Sequence, residues 1–398
     1  MKPLSQKALQ VKESSTLVIT AKAKAMKAAG ENVIAFTAGE PDFDTPEHIK
    51  EAAHIAAKTS FTKYTASAGI IELRKAISQK LKNDNGLDYD PSQIVVSNGA
   101  KHALSNVFTT IINNDDEVIL PAPYWITYPE LVILAGGIPV TVMTTKATGY
   151  KPTMEQLSAA ITNKTKAIVI NSPNNPSGAV WSKDELQAIA DLAVKHDLYV
   201  ISDEIYEMLI YDQNTPHISI ASLGKEIFER TIVINGYSKS YSMTGWRVGY
   251  SASNKQIAEV IGNVQSHRTS NINTLTQKAA LAAETGDKTC VTSMRDAFQN
   301  RRNIMFDMVQ TIPGLDALYP EGAFYVFADI STLCGKPAYG TVINNGEDFA
   351  NLLLEKQKVA IVPCGDFGCE KHIRLSFALS EGDIKEGMNR IKTFVEGM

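Results

Sequence analysis

The sequence predicts an α/β fold built on a mainly parallel sheet, with a second, smaller α+β lobe. Three observations carry this. Short, β-branched apolar runs alternate with helical stretches through the middle of the chain, the pattern of strands buried on both faces. The segment 289–398 changes to an order of helix, strand, helix, strand, helix. Finally, 398 residues exceed one small domain and suit two or three lobes.

The elements follow in order. The stretch 1–45 reads as an arm and helix joining the smaller lobe, 46–288 as the large lobe, and 289–398 as the small C-terminal lobe. The strand runs are Ile94–Val96, Glu117–Leu120, Ala167–Ile170, Leu198–Ile201 and Thr231–Ile234. Each is nearly continuous in apolar residues, as buried strands are. Lys183–His196 reads as a helix: Ser182 is its N-cap, Asp184 and Glu185 open it, and Leu186, Ile189, Ala190, Ala193 and Val194 form its apolar stripe. Cys290–Gln310 reads as one long helix. Ala323–Phe327 and His372–Phe377 read as strands, with a helix near Glu347–Gln357 between them and a terminal helix from Glu381.

Composition excludes several classes. Lys and Arg total 39 against 43 Asp and Glu, a net charge of −4, without the basic surplus of a nucleic-acid binder. Cys290, Cys334, Cys364 and Cys369 form no CxxC pair, so no zinc site and no disulfide scaffold is expected. The segment from Met1 to Lys7 lacks the apolar run of a signal peptide. The longest nearly uncharged apolar stretch, Leu131–Met143, is too short to span a bilayer. The expectation is a cytoplasmic protein with no membrane and no nucleic-acid partner.

The residues just after each strand are the informative ones, because open α/β sheets bind ligands beyond the carboxyl ends of their strands. Ser97-Asn98-Gly99-Ala100-Lys101 is a glycine turn opening a helix, a ready phosphate cradle. Pro121-Ala122-Pro123-Tyr124-Trp125 offers an aromatic plate. Asn171–Gly178 contains two X-Pro bonds and offers an amide. Ser202-Asp203-Glu204 places a carboxylate at the end of an apolar strand, and Asn235–Ser240 supplies Lys239. Singly, each has a plainer explanation as a turn, a cap or a core side chain. Together they describe a pocket for a flat, phosphorylated, electrophilic heteroaromatic, which is the description of pyridoxal phosphate (PLP).

The run Gly236-Tyr237-Ser238-Lys239-Ser240-Tyr241-Ser242-Met243-Thr244-Gly245-Trp246-Arg247-Val248-Gly249 resembles the PLP-attachment signature of the class I aminotransferases. The likeness extends to Gly39–Pro46, Tyr64, the Asn171–Gly178 loop, Ser202–Tyr206 and Arg374-Leu375-Ser376, over essentially the whole chain and in family order. Its nearest form is the bacterial aspartate/prephenate branch. The resemblance implies the PLP-dependent transferase fold type I, with a mostly parallel seven-stranded sheet in the large domain. It implies Lys239 as the Schiff-base lysine and proton carrier, Asp203 at the pyridine nitrogen, Tyr206 and Asn175 at the ring hydroxyl, and Trp125 stacked on the ring. Gly99, Ala100, Lys101, Ser238 and Arg247 would hold the phosphate. Tyr64 would reach it from a neighbouring subunit, implying a homodimer with shared active sites. Arg374 would take the substrate α-carboxylate, with Gly39 beside it.

For substrate, Lys101 resembles the lysine that meets a distal carboxylate in aspartate-using members. Lys12 and Thr16 stand where prephenate-competent members carry lysine and hydroxyl groups. Arg268 departs from the family, which usually has a small hydroxyl residue there. The implied reaction is ping-pong transamination between L-aspartate, or a similar dicarboxylic amino acid, and 2-oxoglutarate. The alternatives on the same cofactor are a prephenate or aromatic aminotransferase and a PLP-dependent β-lyase. A PLP-sensing regulator would need an added DNA-binding domain.

Overall fold

The apolar runs become strands because both of their faces are covered. In the computed structural model, which describes residues 2–398, seven strands form the large sheet. They are β1 (Ile94–Ser97), β2 (Glu117–Pro121), β3 (Ile138–Val142), β4 (Thr165–Asn171), β5 (Tyr199–Asp203), β6 (Thr231–Gly236) and β7 (Gly249–Ala252). Their order across the sheet is β1-β7-β6-β5-β4-β2-β3. Only β7 runs antiparallel to its neighbours.

Side chains alternate between the two faces, as the strand period requires. Val118, Leu120, Val169, Ile201, Ile232 and Ile234 pack on Ala103, Leu104, Val107 and Phe108 of the helix Ala100–Ile111. Ile119, Ile168, Ile170 and Val200 pack the other way, on Leu186, Ile189, Ala190 and Ala193 of the helix Lys183–Lys195. Ser182 caps that second helix in a reciprocal capping box with Glu185.

Two strands of this sheet do not stand out in the sequence. The stretch Leu131–Met143 divides: Thr127–Ala135 is helical, Gly136 ends the helix with φ 97°, and β3 begins at Ile138. A left-handed C-cap followed by a second glycine is what turns one apolar run into two elements. β7, the sequence Gly-Tyr-Ser-Ala, carries too little apolar signal to stand out, and β1 and β6 pair with it on either side.

In the smaller lobe, Val362–Pro363, His372–Ser376, Tyr325–Asp329 and Asp316–Ala317 form an antiparallel sheet. The helices Thr289–Val309, Gly346–Gln357 and Glu381–Glu396 pack around it. The strand expected from Ala323 begins at Tyr325, because Ala323 takes φ 57° and its amide is spent on the Leu209 carbonyl. From the N-terminal stretch, Ile34–Ala35 pairs in parallel with Val359–Ala360, and Ile34 and Phe36 enter the same core.

Candidate active site

The signature run folds as it does because two backbones pass unusually close. β6 and β7 face each other at Gly236 and Gly249. A Cβ on Gly236 would lie 2.8 Å from the Gly249 Cα, and one on Gly249 would lie 2.5 Å from the Ala100 nitrogen. Glycine at both ends therefore lets β6, β7 and the Ala100 helix converge on one point. Between them Ser242 and Arg247 both adopt left-handed backbone, at φ 52° and 54°, a strained conformation that clusters at functional sites.

At the carboxyl ends of the strands lies a cavity of about 780 Å³. It brings together Gly39, Ala100, Lys101, Trp125, Asn175, Asp203, Tyr206, Ser238, Lys239, Arg247 and Arg374, and also Lys12 and Thr16 from the N-terminal arm. The Lys12 amide donates to Glu130 at 3.1 Å, holding the arm across the cavity.

The Lys239 amine lies against the Gly39 carbonyl. Burial pushes its pKa down to about 8; Glu40 opposes that shift, while Arg374 and Arg247 add to it. A desolvated lysine near neutrality is an activated nucleophile. Asp203 is buried at the end of β5, and burial pushes its carboxyl up to about 6. Tyr128 opposes this by donating to Oδ2 at 2.7 Å, and the Ile205 amide by donating to Oδ1 at 3.2 Å.

Asn175 is oriented by a chain of bonds. Its amide donates to Asn171 Oδ1 at 2.8 Å, and Asn171 Nδ2 donates to the Asp203 carbonyl at 2.9 Å. Arg374 Nη1 donates to Asn175 Oδ1 at 3.0 Å, so the Asn175 NH₂ is the end left for a ligand. Arg374 is 2% exposed, its Nε has no partner, and it makes no salt bridge among the described residues. A buried cation without a counter-charge is costly, so its site is built for an anion. The Tyr325 and Phe367 rings lie 4.3 and 5.5 Å from its guanidinium carbon. In the same cavity, the Lys101 amine stands 5.1 Å from the Trp125 ring centre. Burial, and then Arg247, lower its pKa.

Gly99 has φ 83°, and a Cβ there would come within 2.6 Å of Arg247 Nη2. Its own amide is spent on the Ser97 carbonyl, leaving Ala100 and Lys101, first in the helix, as the free amides. A glycine cradle with an arginine folded over it, two free helix amides, a half-buried lysine, a buried carboxylate and an aromatic plate fit PLP by the chemistry of their donors.

Two residues singled out in the sequence lie elsewhere. Tyr64 is 89% exposed and outside this cavity. Arg268 binds Ser105, Asn106 and Thr109 on the outer face of the Ala100 helix and does not line the cavity. Sequence reading missed Tyr128, Tyr325 and Phe367. Tyr325 sits in a run that reads as core, and nothing local marks the other two. Glu204, Glu207 and His217 also converge, with ligand atoms within 4.8 Å. Each carboxylate oxygen there already accepts from protein, through Ser202, Ser219, His217, Lys80, Asn85 or Asn235. The cluster is accounted for as a buried hydrogen-bond network behind Asp203.

The two-lobed α/β architecture, with a half-buried lysine facing a cationic cavity, defines a lysine-centred cofactor enzyme. Comparison with known proteins agrees. The family described as aminotransferase class I and II matches residues 31–391, and the chain belongs to that family. It is 46% identical over 393 residues to an aspartate aminotransferase of Bacillus subtilis, covering 99% of each chain. It is 43% identical over 400 residues to an aspartate/prephenate aminotransferase of Cereibacter sphaeroides, again covering 99% of each. A solved aspartate aminotransferase from Thermus thermophilus, with maleate, superposes at a TM-score of 0.93, with 41% identity over 99% of this chain and 100% of that one. The chain is a PLP-dependent aminotransferase of fold type I.

Proposed function

We propose that this enzyme transfers the amino group of L-aspartate to 2-oxoglutarate, the donor leaving as its oxo acid before the acceptor enters. The observation that carries the reading is a pair of cations placed for two carboxylates. Arg374 is buried in the cavity lining with no counter-charge, and Lys101, in the same lining, stands over Trp125 with no acid paired to it. The names of the relatives support aspartate.

When bound, PLP supplies an electron sink for the carbanion formed at the substrate Cα. The protein does the rest. Ala100, Lys101, Ser238 and Arg247 hold the phosphate, with Gly99 providing the room. Trp125, in the cavity lining, would lie against the ring. Asp203, kept anionic by its two donors, holds a proton on the ring nitrogen. Tyr206 and Asn175 donate to the ring oxygen. Lys239 would anchor the cofactor, and its amine would move the proton on and off the substrate Cα; its lowered pKa suits it to act as a base near neutral pH. Arg374 orients the α-carboxylate as a bidentate fork, with Gly39 beside it, and Lys101 takes the distal carboxylate.

A second reading, with prephenate, itself a 2-oxo acid, as the amino acceptor, is favoured by Lys12 and Thr16 lining the same cavity. We also propose a cytoplasmic homodimer, in which the exposed Tyr64 completes the partner's phosphate site. Four free cysteines support the compartment, and no described helix is long and apolar enough to cross a membrane. We place the lobe boundaries near 45 and 288, as the pairing of Ile34–Ala35 with Val359–Ala360 supports.

The test is a panel of amino donors mixed with holoenzyme in single turnover, following loss of the yellow absorbance of the lysine-bound cofactor. Aspartate is expected to react fastest. Equal rates with neutral and aromatic donors would sink the dicarboxylate assignment.

A further inference from the structure

Tyr325 is the first residue of its strand and is completely buried, yet it lines the active-site cavity. Its hydroxyl lies 2.8 Å from the Tyr206 hydroxyl, its only hydrogen-bond partner among the described residues. The bond joins the smaller lobe to the loop after β5. The register adds a second contact. Tyr325 pairs with Ser376 and Phe327 with Arg374, so Tyr325 and Arg374 are diagonal neighbours on one face of the sheet. The Arg374 guanidinium sits 4.3 Å above the Tyr325 ring centre. One side chain therefore touches both the phenol on the cofactor side and the arginine on the carboxylate side.

We propose that Tyr325 is a positioning residue that couples the two ends of the site: its hydroxyl donates to Tyr206, and its ring seats the Arg374 guanidinium. The proposal rests on the roles given above to Tyr206 and Arg374. The direction of the hydroxyl bond follows from counting protons. Each phenol has one. If the Tyr206 proton points at the ring oxygen of the cofactor, the bond between the two phenols needs the Tyr325 proton. A phenol that accepts a hydrogen bond is in turn a stronger donor. Phenylalanine would fill the strand position equally well, so packing alone does not explain the hydroxyl. The charged groups that face this pair are Asp203 and Arg374, with the Lys239 amine 6.0 Å from the Tyr206 ring centre. Because Tyr325 and Arg374 share one sheet, any shift of the smaller lobe that moves the carboxylate clamp also moves the donor to Tyr206.

The experiment uses three holoenzyme variants, Tyr325→Phe, Tyr325→Leu and Tyr206→Phe. Two readouts are taken: the pH titration of the lysine-bound cofactor's absorbance, and the Kd for maleate, a dicarboxylate with no amino group. Losing a donor to the ring oxygen disfavours its anionic form, so the chromophore pKa rises. Tyr325→Phe is expected to raise it by ~0.3–0.6 of a pH unit, the share of one polarised bond, and Tyr206→Phe by more. Tyr325→Phe keeps the ring and leaves maleate affinity within ~2-fold, whereas Tyr325→Leu weakens it ~5–30-fold through loss of a desolvated cation–π contact. An unshifted chromophore in Tyr325→Phe, beside a shifted one in Tyr206→Phe, overturns the hydroxyl role while leaving the proposed function standing. An unshifted Tyr206→Phe overturns the role of Tyr206 itself and the hydroxyl coupling with it. Equal maleate affinities in the Phe and Leu variants overturn the ring as a seat. If the Leu variant fails to hold cofactor, the Phe variant still decides the hydroxyl role.

Discussion

Tyr128 donates its hydroxyl proton to Asp203 Oδ2 at 2.7 Å, with both side chains buried, and its ring meets Trp125 edge-on at 5.6 Å between centres. Burial holds the Tyr128 phenol far above its ordinary pKa, so it remains a donor throughout the working range. One side chain thus braces both the carboxylate and the aromatic plate.

That bond predicts a pH-dependent stability defect. The Asp203 pKa is raised to about 6 in the fold. A raised carboxyl favours the folded state while protonated; the benefit is complete below the unfolded pKa and is lost as pH rises through about 6. The ionised side chain then costs about 3 kcal/mol, to order of magnitude, in cofactor-free protein. Tyr128→Phe removes the donor that eases this cost. Cofactor-free Tyr128→Phe is expected to lose about 1–3 kcal/mol against the parent at pH 8 and clearly less at pH 5. Urea unfolding at the two values checks it; a loss that does not change with pH would mean the phenol contributes packing only.

Lys239 carries the second prediction. With its pKa at about 8, covalent capture of PLP by cofactor-free protein should accelerate with pH through about 8 and then level off. Glu40 raises this pKa, so Glu40→Gln should move the profile to lower pH. Stopped-flow absorbance gives both curves. Lys239→Ala should stay colourless and lose transamination; near-normal turnover in that variant would end its assignment as the anchor.

For Arg374, the fork and the buried setting set the scale. Arg374→Ala should lower kcat/KM for aspartate by at least ~10²-fold, the consequence of unpairing a desolvated carboxylate. Arg374→Lys should recover little of this, because a lysine cannot form the two parallel bonds or reproduce the planar guanidinium's contacts with the Tyr325 and Phe367 rings. Steady-state kinetics on the two variants decide it.

The sequence showed more of the site than of the fold's edges, for physical reasons. Strands covered on both faces are apolar throughout, so β1, β2, β4, β5 and β6 stood out. β7 is marked only by the glycine that lets it approach β6, and β3 was hidden in a run that Gly136 divides. Lys239, Asp203 and Asn175 drew attention because they follow strands, and Arg247 through the signature run between β6 and β7; all four line one cavity. Tyr128 and Tyr325 did not, because a phenol on a helix or strand looks the same in sequence whether it fills the core or binds Asp203 or Tyr206. Arg268 shows the converse: an unusual residue near the site turns out to bind the outer face of a helix.

Lys101 offers the sharpest test of specificity, because it occupies a place that two roles compete for. It opens the phosphate-side helix, yet its amine stands over Trp125 inside the cavity, and no acid pairs with it among the described residues. If it meets a distal carboxylate, Lys101→Met should cost only those donors that have one. The expected fall in kcat/KM is ~10–100-fold for aspartate, the scale of one charge-assisted bond. For phenylalanine the change should stay within ~3-fold, because its side chain makes no such bond. If Lys101 acts chiefly on the phosphate, both donors should fall together, and the Kd for PLP should rise in step. Measuring the two donors and the cofactor on one preparation separates the roles: the ratio of the two kcat/KM values reports the substrate carboxylate alone, since any loss of cofactor cancels from it.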